Sequence, residues 1–383
     1  MSESRDPTIC AAPLGADWRA RVASAQEAAV PSGGVTISCS APFGVGGLGR
    51  HLQEVAAALS RRGQRPAIVC GSDRAAPSGA ARAPRHPLGV PYLFDVLSAL
   101  PLPTSPGITT RAFMAEFDAY AAGRVAPAEH LIAFNGQALT QFRAARRAGY
   151  RSLSLVSANS HLRRVERQHA RARRQYPLER SWAAHLVRRN IAEYAQADRI
   201  YVASRYTRES FLEEGVEEEK LSLFPFTPDP RYRPQSPSTK ATFDVVYIGS
   251  LSVAKGVPLL VDAVRRLPHG DLRLILVGGW GTRGMRRFIE RACAEDSRIS
   301  VCPGDPLPHL RDARLSVHPT YEDGFGYAPA EALACGIPVI VSADTGMKDL
   351  IEPGRSGAIV PTGDLAALSD AIEAAYRGEL LGG

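Results

Sequence analysis

Apolar residues in the second half of this chain fall into short continuous runs separated by longer segments of helical periodicity. The segments between the runs, such as residues 256–267 and 283–295, repeat apolar positions every three or four residues. The runs themselves are typical of buried parallel strands: FDVVYIGSL, LRLILVGG, ISVCPG, ARLSVHP, IPVIVSA and GAIVP. Strict alternation of strand and helix predicts a doubly wound parallel sheet covered by helices on both faces.

The first half opens with the same pattern. The run VTISCSAPF predicts a strand, the glycine-rich GVGGLG predicts a turn, and RHLQEVAAALSRRG predicts a helix that ends at Gly63. Further runs at 130–136, 152–159 and 199–204 predict strands, followed by a helix in YTRESFLEEG and a strand in KLSLFPF. Between Ser72 and Val125 the periodicity is weak, and we expect loops and short helices there.

These patterns divide the chain into four parts. Residues 1–33 form an N-terminal extension, 34–226 a first Rossmann-like domain, 227–242 a linker and 243–383 a second Rossmann-like domain. The linker is assigned because it is dense in proline, serine and threonine, which neither a helix nor a sheet tolerates in that number. Ligands of doubly wound sheets bind beyond the carboxyl ends of the strands, so a cleft between the two domains is the expected site.

Composition narrows the class of protein. Apolar residues make up 45% of the 383 residues and charged residues 22%, which is a globular balance. No stretch reaches the roughly 18 apolar residues of a membrane-spanning helix, and the N-terminus does not resemble a secretory signal, so a cytoplasmic protein is expected. The cysteines lack CxxC spacing and accompanying histidines, and are interpreted as free, mostly buried thiols: Cys10, Cys39, Cys70, Cys293, Cys302 and Cys335.

The net charge of +7 comes from arginine concentrated in one stretch. Ten arginines lie between Arg143 and Arg174, and within that stretch only Glu166 opposes them. Such a surface either is simply solvated or attracts an anionic group, such as a phosphorylated or lipid-linked acceptor or the inner face of a membrane. Nucleic acid is disfavoured because no aromatic residues for base stacking are interleaved with the arginines.

The strongest chemical signal lies in HPTYEDGFGYAPAEALACGIPVIVS, residues 318–342. A strand is followed by a loop with Asp323 and then by a helix that starts near Tyr327 and carries Glu331 in its second turn. Backbone N–H groups at a helix start lack intrahelical partners and can hold a diphosphate. The glycines of the loop, Gly324 and Gly326, allow close approach of a ligand, and both acids can accept hydrogen bonds from its hydroxyls.

This block resembles the signature of the family-four retaining glycosyltransferases of GT-B fold, in which an acid is separated by seven residues from a glutamate and Phe-Gly follows the acid. The resemblance implies two Rossmann-like domains facing across a cleft. It implies that the first acid binds hydroxyls of the donor sugar and that Glu331 binds the nucleotide ribose. The family usually has glutamate at the first position, so either Asp323 or its neighbour Glu322 takes this role.

A second block, YIGSLSVAKGVPLLVDAV, is similar to the family's Gly-Arg and Lys-Gly segment, whose two cations neutralise the leaving diphosphate. Lys255 stands at the lysine position, but Ser250 stands where the family has arginine. A serine offers one hydroxyl where arginine offers a bidentate cation. Either Lys255 and the helix N-terminus suffice, or another arginine, such as Arg283, supplies the charge.

Two further features lie in the first half. Gly46 and Gly47 of GVGGLG match the family's glycine loop beside the donor phosphates. Taken alone this motif also fits a dinucleotide site, but no acidic residue ends the next strand at the spacing such a site requires, which disfavours NAD. His161 follows a first-domain strand, where the family places a histidine near the reacting sugar; the alternative is a surface or helix-capping residue.

The resemblance implies a retaining transferase that moves a sugar from a nucleoside-diphosphate donor, a UDP-sugar by family frequency, to a hydroxyl of a glycan, lipid or natural product. It implies no metal and no cofactor. Lys255, Ser250 and the N–H groups from Phe325 to Tyr327 are expected to hold the diphosphate. The alternatives are a phosphorylase or synthase of the same fold, a catalytically silent GT-B protein that binds a nucleotide sugar or a partner, and an NAD-dependent oxidoreductase.

Overall fold

The computed structural model describes residues 16–71, 106–124, 127–179, 184–234 and 240–380. Cys10, the first fifteen residues of the predicted extension and most of the weakly periodic segment after Ser72 lie outside the described residues. All statements below concern the described part of the chain.

The first domain is built on a parallel sheet of six strands in the order β2-β1-β3-β4-β5-β6. Its five-residue first strand is buried along its whole length, as expected for a sheet covered on both faces. The strands are β1 (Val35–Cys39), β2 (Ala67–Cys70), β3 (His130–Phe134), β4 (Ser152–Ser157), β5 (Arg199–Val202) and β6 (Leu221–Leu223).

The second domain repeats this architecture with six parallel strands in the order β12-β11-β10-β7-β8-β9. Each strand coincides with one of the six apolar runs of the sequence, so the predicted doubly wound fold is confirmed. The strands are β7 (Phe243–Ile248), β8 (Leu272–Val277), β9 (Ile299–Val301), β10 (Leu315–His318), β11 (Val339–Ser342) and β12 (Gly357–Val360).

Helices connect the strands and cover the sheets. Gly63 ends the first of the connecting helices with φ +74°, a left-handed conformation that glycine adopts without a Cβ clash. In the first domain the helices are Ala16–Ala29, Gly46–Arg61, Pro106–Ala122, Leu139–Arg147, Leu162–Gln175, Ala184–Gln196 and Arg205–Leu212. In the second domain they are Val257–Arg266, Arg283–Glu295, Leu307–Asp312, Tyr327–Ala334 and Leu365–Tyr376.

Three segments differ from the pattern expected of them. The helix Ala16–Ala29 buries Trp18 and Val22 in the first-domain core, although it lies within the predicted extension. Pro106–Ala122 is one long helix where loops and short helices were expected. The linker is held rather than free over its described part: the Thr227 N–H donates to Glu54, and Tyr232 is buried.

The order of the strands determines where a ligand can bind. In the first sheet the connections leave β1 in opposite directions, towards β2 and towards β3, and in the second sheet they leave β7 towards β8 and β10. At such switch points the loops beyond the carboxyl ends of neighbouring strands diverge and leave a crevice. The two crevices of this molecule open into one cavity between the domains.

A cleft between the two sheets as candidate active site

The cavity between the domains has a volume of about 610 Å³. Loops that follow strands of both sheets enclose it. The first-domain wall consists of Gly47, Leu48, His51, Met114, Asn135, Gly136, Ala158, Asn159, Leu162, Leu186 and Asn190. The second-domain wall consists of Tyr247, Ile248, Gly249, Lys255, His318, Thr320, Asp323, Phe325, Gly326, Tyr327, Ala328, Pro329 and Thr345.

An ion pair lies in the second-domain wall. The Lys255 Nζ is 2.7 Å from the Asp323 Oδ2, and both side chains remain about one-third exposed. Burial disfavours the charge on both groups, but their mutual attraction outweighs it, which raises the pKa of Lys255 and lowers that of Asp323. The pair is therefore ionised at neutral pH, and the structure brings these two predicted site residues together.

Lys255 is positioned by the turn that precedes its helix. Gly256, next to it, has φ +71°, and a Cβ on this residue would lie 1.9 Å from the Pro319 carbonyl oxygen. Only glycine fits there, because the side chain of any other residue would push the loop after β10 away. This close packing holds the Lys255 backbone against the loop that carries Asp323.

Glu322 does not take the place of Asp323. It is buried beneath the loop, and its Oε1 accepts a hydrogen bond of 3.1 Å from the Ser160 N–H of the first domain. Burial raises its pKa, against the opposing effect of Lys255. Glu322 is absent from the cavity lining, so the alternative that it faces a donor sugar is wrong for this arrangement, and it instead joins the two domains.

The helix Tyr327–Ala334 points its N-terminus at the cavity, as the sequence predicted. Tyr327, Ala328 and Pro329 of its first turn all line the cavity. The N–H groups of a first helical turn have no intrahelical acceptor, and the helix dipole adds partial positive charge there. An anionic group in the cavity would therefore meet the Lys255 ammonium and this helix end together.

The two glycines before this helix differ in position: Gly326 lines the cavity, as expected of a residue close to a ligand, whereas Gly324 contacts the first domain, which corrects the sequence-based interpretation for Gly324 alone. A Cβ on Gly324 would lie 2.5 Å from the Ala158 carbonyl oxygen of the first domain, and one on Gly326 would lie 2.6 Å from the Met347 Cγ. The Gly324 carbonyl also accepts hydrogen bonds from the hydroxyls of Ser204 and Thr207. Gly324 is therefore a point of direct contact between the two walls.

Glu331 lies behind the cavity, where it is buried and paired with Arg50 of the first domain. Burial raises the pKa of Glu331, and the Arg50 charge opposes that shift. The Arg50 guanidinium also lies 5.1 Å from the centroid of the Tyr327 ring. The sequence analysis missed Arg50, which directly follows the glycine-rich loop but pairs with a residue 281 positions away.

Aromatic side chains close the side of the cavity next to this pair. The His51 ring stacks on Phe226 with centroids 3.7 Å apart, and Phe325 and Tyr327 contact the same Phe226 ring. The Tyr327 hydroxyl donates to Glu54 across the domain boundary at 3.0 Å. Burial lowers the pKa of His51 to about 3, so its imidazole is neutral.

The two glycines predicted at the donor phosphates differ in position. Gly47 lines the cavity, whereas Gly46 begins the helix beside it with φ +65°. A Cβ on either glycine would meet no atom within 4 Å, so open space surrounds both. The loop is therefore accessible from the cleft, as expected of a segment that approaches a ligand.

Asparagine amides and apolar side chains make up the rest of the first-domain wall. The Asn135 Nδ2 donates to the Asn190 Oδ1 at 3.1 Å, and Asn159 lies exposed in the loop after β4. Beneath them the buried Glu193 accepts the N–H groups of Gly136 and Ala138. The loop of Asn135 is thus held in place, and the asparagine amides can donate to and accept from hydroxyl groups.

Three further predicted residues do not reach the cavity. Ser250 is exposed outside it, with its carbonyl accepting the Tyr247 hydroxyl, and Arg283 is exposed at the start of its helix. His161 caps the helix Leu162–Gln175 through its Nδ1, and its ring packs between Tyr194 and Phe211. The structure therefore favours the helix-capping alternative for His161, and Ala158 and Asn159 of the loop before it line the cavity instead.

The arginine-rich stretch is opposed by acids from elsewhere in the chain. Arg163 and Arg167 both pair with Glu214, and Arg164 pairs with Glu213. Arg146 pairs with Asp198 and Arg151 with Glu129. Glu166 is the one acid within the stretch itself, but the fold brings distant carboxylates to this surface.

The described residues contain neither a candidate metal site nor a candidate membrane-spanning helix. No group of three or more histidine, cysteine or acidic side chains there has the arrangement of a metal site. No described helix is both long enough and apolar enough to cross a bilayer. The five described cysteines are free, and three of them are buried, as predicted: Cys39, Cys70 and Cys335.

Comparison with known proteins identifies the family of both domains. Residues 242–377 match the family model described as "Glycosyl transferases group 1", and residues 46–227 match the one described as "Glycosyl transferase 4-like domain". A D-inositol 3-phosphate glycosyltransferase from Pseudarthrobacter chlorophenolicus is 30% identical over 207 residues, which cover 51% of this chain and 48% of the relative. The O-antigen chain mannosyltransferase B of Escherichia coli is 32% identical over 132 residues, which cover 32% of this chain and 34% of the relative. The chain spans about half the length, or less, of these curated relatives.

Solved structures show the same two-domain fold at low identity. A sucrose-phosphate synthase from Thermosynechococcus elongatus superposes with a TM-score of 0.70 at 19% identity, covering 91% of this chain and 90% of the other. The HepE protein of Anabaena, solved with UDP and glucose, superposes with a TM-score of 0.65 at 18% identity, covering 91% of this chain and 92% of the other. These likenesses confirm the predicted GT-B arrangement of two Rossmann-like domains.

Proposed function

We propose that this chain, which belongs to the group 1 glycosyltransferases of GT-B fold, transfers a sugar from a UDP-sugar to a hydroxyl acceptor with retention of configuration. The observation that carries the proposal is the Lys255 ammonium, paired with Asp323 beside the N-terminus of the helix Tyr327–Ala334 inside the cleft. A cation and a helix end directed at the same space suit a leaving diphosphate. UDP-bound structural neighbours support the choice of nucleotide.

Breaking the bond between sugar and phosphate places negative charge on the leaving diphosphate and positive charge on the sugar. Preorganised donors at the site of developing charge are among the largest sources of catalysis. In this chain Lys255 and the N–H groups of Tyr327 and Ala328 would be these donors, since all three residues line the cavity. The Asp323 carboxylate, beside Lys255, would accept hydrogen bonds from the hydroxyls of the transferred sugar.

The acceptor would approach from the first-domain wall. Its hydroxyl oxygen would form the new bond to the anomeric carbon on the face from which the phosphate leaves, and its proton would pass to the leaving phosphate oxygen. Asn135 and Asn159 offer amide groups suited to a hydroxyl-bearing acceptor. Glu331 would accept hydrogen bonds from the nucleotide ribose, and neither a metal nor a further cofactor takes part in this scheme.

A screen of nucleotides and nucleotide sugars tests the proposal. The purified chain is melted with each compound in the presence of EDTA, and release of nucleoside diphosphate from each sugar donor is followed without an added acceptor. We expect stabilisation by UDP and slow hydrolysis of one UDP-sugar. Binding without turnover would instead identify a silent GT-B protein, and stabilisation by NAD alone would identify an oxidoreductase.

A matched pair of lysine variants makes the screen specific for the cleft. Lys255→Ala should abolish donor hydrolysis, whereas Lys240→Ala, whose lysine pairs with Asp244 and Asp312 outside the cavity, should leave it unchanged. Hydrolysis that survives Lys255→Ala would place the reaction elsewhere in the molecule.

A further inference from the structure

We propose that Arg50 is a donor-binding residue, which exchanges its carboxylate partner Glu331 for the diphosphate when the nucleotide sugar enters the cleft. This inference rests on the proposed function and adds a first-domain cation to the diphosphate site. The cavity carries no net positive charge from the described side chains that line it. Among the described residues that line it, the charged side chains are Lys255 and Asp323, and they neutralise each other.

A nucleoside diphosphate carries at least two negative charges, so this balanced wall does not match it. Ser250 cannot supply a second cation, and Arg283 lies exposed away from the cavity. Isolated charges transferred from water into a partly closed cleft are unfavourable unless an opposite charge meets them there. A second cation within reach of the cleft is therefore needed.

Arg50 is within reach of the helix end that faces the cavity. It lies in the first turns of the helix Gly46–Arg61, and its neighbours Leu48 and His51 line the cavity. Its guanidinium is 5.1 Å from the ring centroid of Tyr327, the first residue of the second-domain helix. Its side chain is 26% exposed whereas that of Glu331 is 3% exposed, so Arg50 is the member of the pair that is free to change its position.

Glu331 keeps other partners when Arg50 leaves. The hydroxyl of Tyr232 and the positive charge of Arg231 both favour its ionised form. The exchange therefore does not leave a bare buried carboxylate, which would make it costly. The oxygen that Arg50 vacates becomes free to accept a hydrogen bond from a ribose hydroxyl, so one movement would prepare both halves of the nucleotide site.

The exchange predicts that the affinity lost when Arg50 is replaced depends on the number of phosphates on the nucleoside. Affinities of the full-length chain for uridine, UMP and UDP are measured by calorimetry for the wild type and for Arg50→Gln. We expect Arg50→Gln to weaken UDP by roughly ten- to a hundredfold, the range of a charge-assisted hydrogen bond, while uridine binds as before or more tightly. Arg61→Gln is the matched control, because Arg61 lies on the same helix but pairs with Glu27 at the surface.

An equal loss of affinity for uridine and UDP would overturn the inference, since Arg50 would then only orient Glu331. So would an unchanged affinity for UDP. Arg50→Lys keeps a positive charge and should retain most of the preference for UDP over uridine, which provides the test if Arg50→Gln does not fold. If the wild type binds none of the three compounds, the proposed function itself fails.

Discussion

The second-domain wall of the cleft carries ionised side chains and a helix end, whereas the first-domain wall carries amides and apolar side chains. Lys255 and Asp323 of the second wall lie 2.7 Å apart, and both face the cavity. Asn135, Asn159 and Asn190 of the first wall offer only neutral hydrogen-bonding groups. In the proposed scheme the second wall therefore holds the leaving diphosphate, which Arg50 reaches from the first domain, and the amides of the first wall recognise the neutral hydroxyl acceptor.

The two walls also differ in how they are held. Second-domain loops pack with almost no spare room, as at Gly256 against the Pro319 carbonyl. The first-domain loop of Asn135 depends on hydrogen bonds to the buried carboxylate of Glu193. The charged Lys255 is therefore held in position by backbone packing, whereas the amide of Asn135 is held by hydrogen bonds to the carboxylate beneath its loop.

Removal of the second-wall cation should have the largest effect. Lys255→Ala should lower kcat for donor hydrolysis by about 10²–10³-fold, the cost of removing one preorganised donor to a developing charge. Steady-state release of UDP measures it, with Lys240→Ala as control. A loss below tenfold would show that the ion pair is structural.

The contact between the walls is the next target. Gly324→Ala introduces a Cβ at 2.5 Å from the Ala158 carbonyl oxygen, so the walls should separate. We expect kcat/KM to fall by about ten- to a hundredfold, equivalent to about 1–3 kcal/mol of overpacking. Gly279→Ala is the control, because its Cβ would meet no atom within 4 Å. Equal activity of the two variants would mean that closure is not required.

A variant of the first wall should impair use of the acceptor and leave use of the donor unchanged. Asn135→Ala should raise KM for a hydroxyl acceptor by about tenfold, the effect of losing one neutral hydrogen bond, with donor hydrolysis unchanged. The measurement is transfer to a panel of hydroxyl acceptors alongside UDP release without any acceptor. A parallel loss of hydrolysis would erase the proposed division between the walls.

One histidine from each wall should make stability depend on pH. Burial lowers the pKa of His51 and of His318 to about 3, below the ordinary value of 6.5. As the pH falls, these histidines are protonated in the unfolded chain before they are protonated in the folded one. The free energy of unfolding is therefore at its full value above pH 6.5, and below it decreases by about 1.4 kcal/mol per pH unit for each histidine. His318→Gln should remove the contribution of one histidine to this pH dependence of the free energy of unfolding. Denaturant unfolding between pH 4 and 7 measures it. An unchanged slope would mean that His318 is charged in the folded protein.

The smallest effect is expected on the arginine-rich surface away from both walls. Glu214→Gln removes the partner of the exposed Arg163 and Arg167, and should change unfolding free energy by no more than about 1 kcal/mol. Donor hydrolysis should stay at the wild-type rate. A marked loss of hydrolysis would connect this surface to the cleft.

The sequence predicted features that depend on local pattern. All six second-domain strands and the helix start at Tyr327 follow from periodicity, whereas the family resemblance is what implied that Lys255 and Asp323 share one site. Gly324 was predicted for the wrong reason, because the atom that excludes its Cβ belongs to a loop 166 positions earlier, at Ala158. Local pattern does not contain such a contact.

The features that sequence reasoning missed all join distant parts of the chain. Arg50 pairs with Glu331 only when the domains face each other. Acids that neutralise the arginine stretch come from other helices and loops, so counting charges within the stretch overstated its positive charge. His161 follows the strand that a family resemblance indicated, but the helix it caps turns its ring into the core.

Donor hydrolysis in the absence of acceptor tests the central claim most directly, since it requires the ionised groups of the second wall and no acceptor on the amides of the first. Release of UDP from the preferred UDP-sugar is measured for the wild type, Lys255→Ala and Asn135→Ala under identical conditions. The division between the walls predicts that Lys255→Ala abolishes release and Asn135→Ala leaves it at the wild-type rate. Equal rates in the wild type and Lys255→Ala, or no release from any nucleotide sugar, would contradict it.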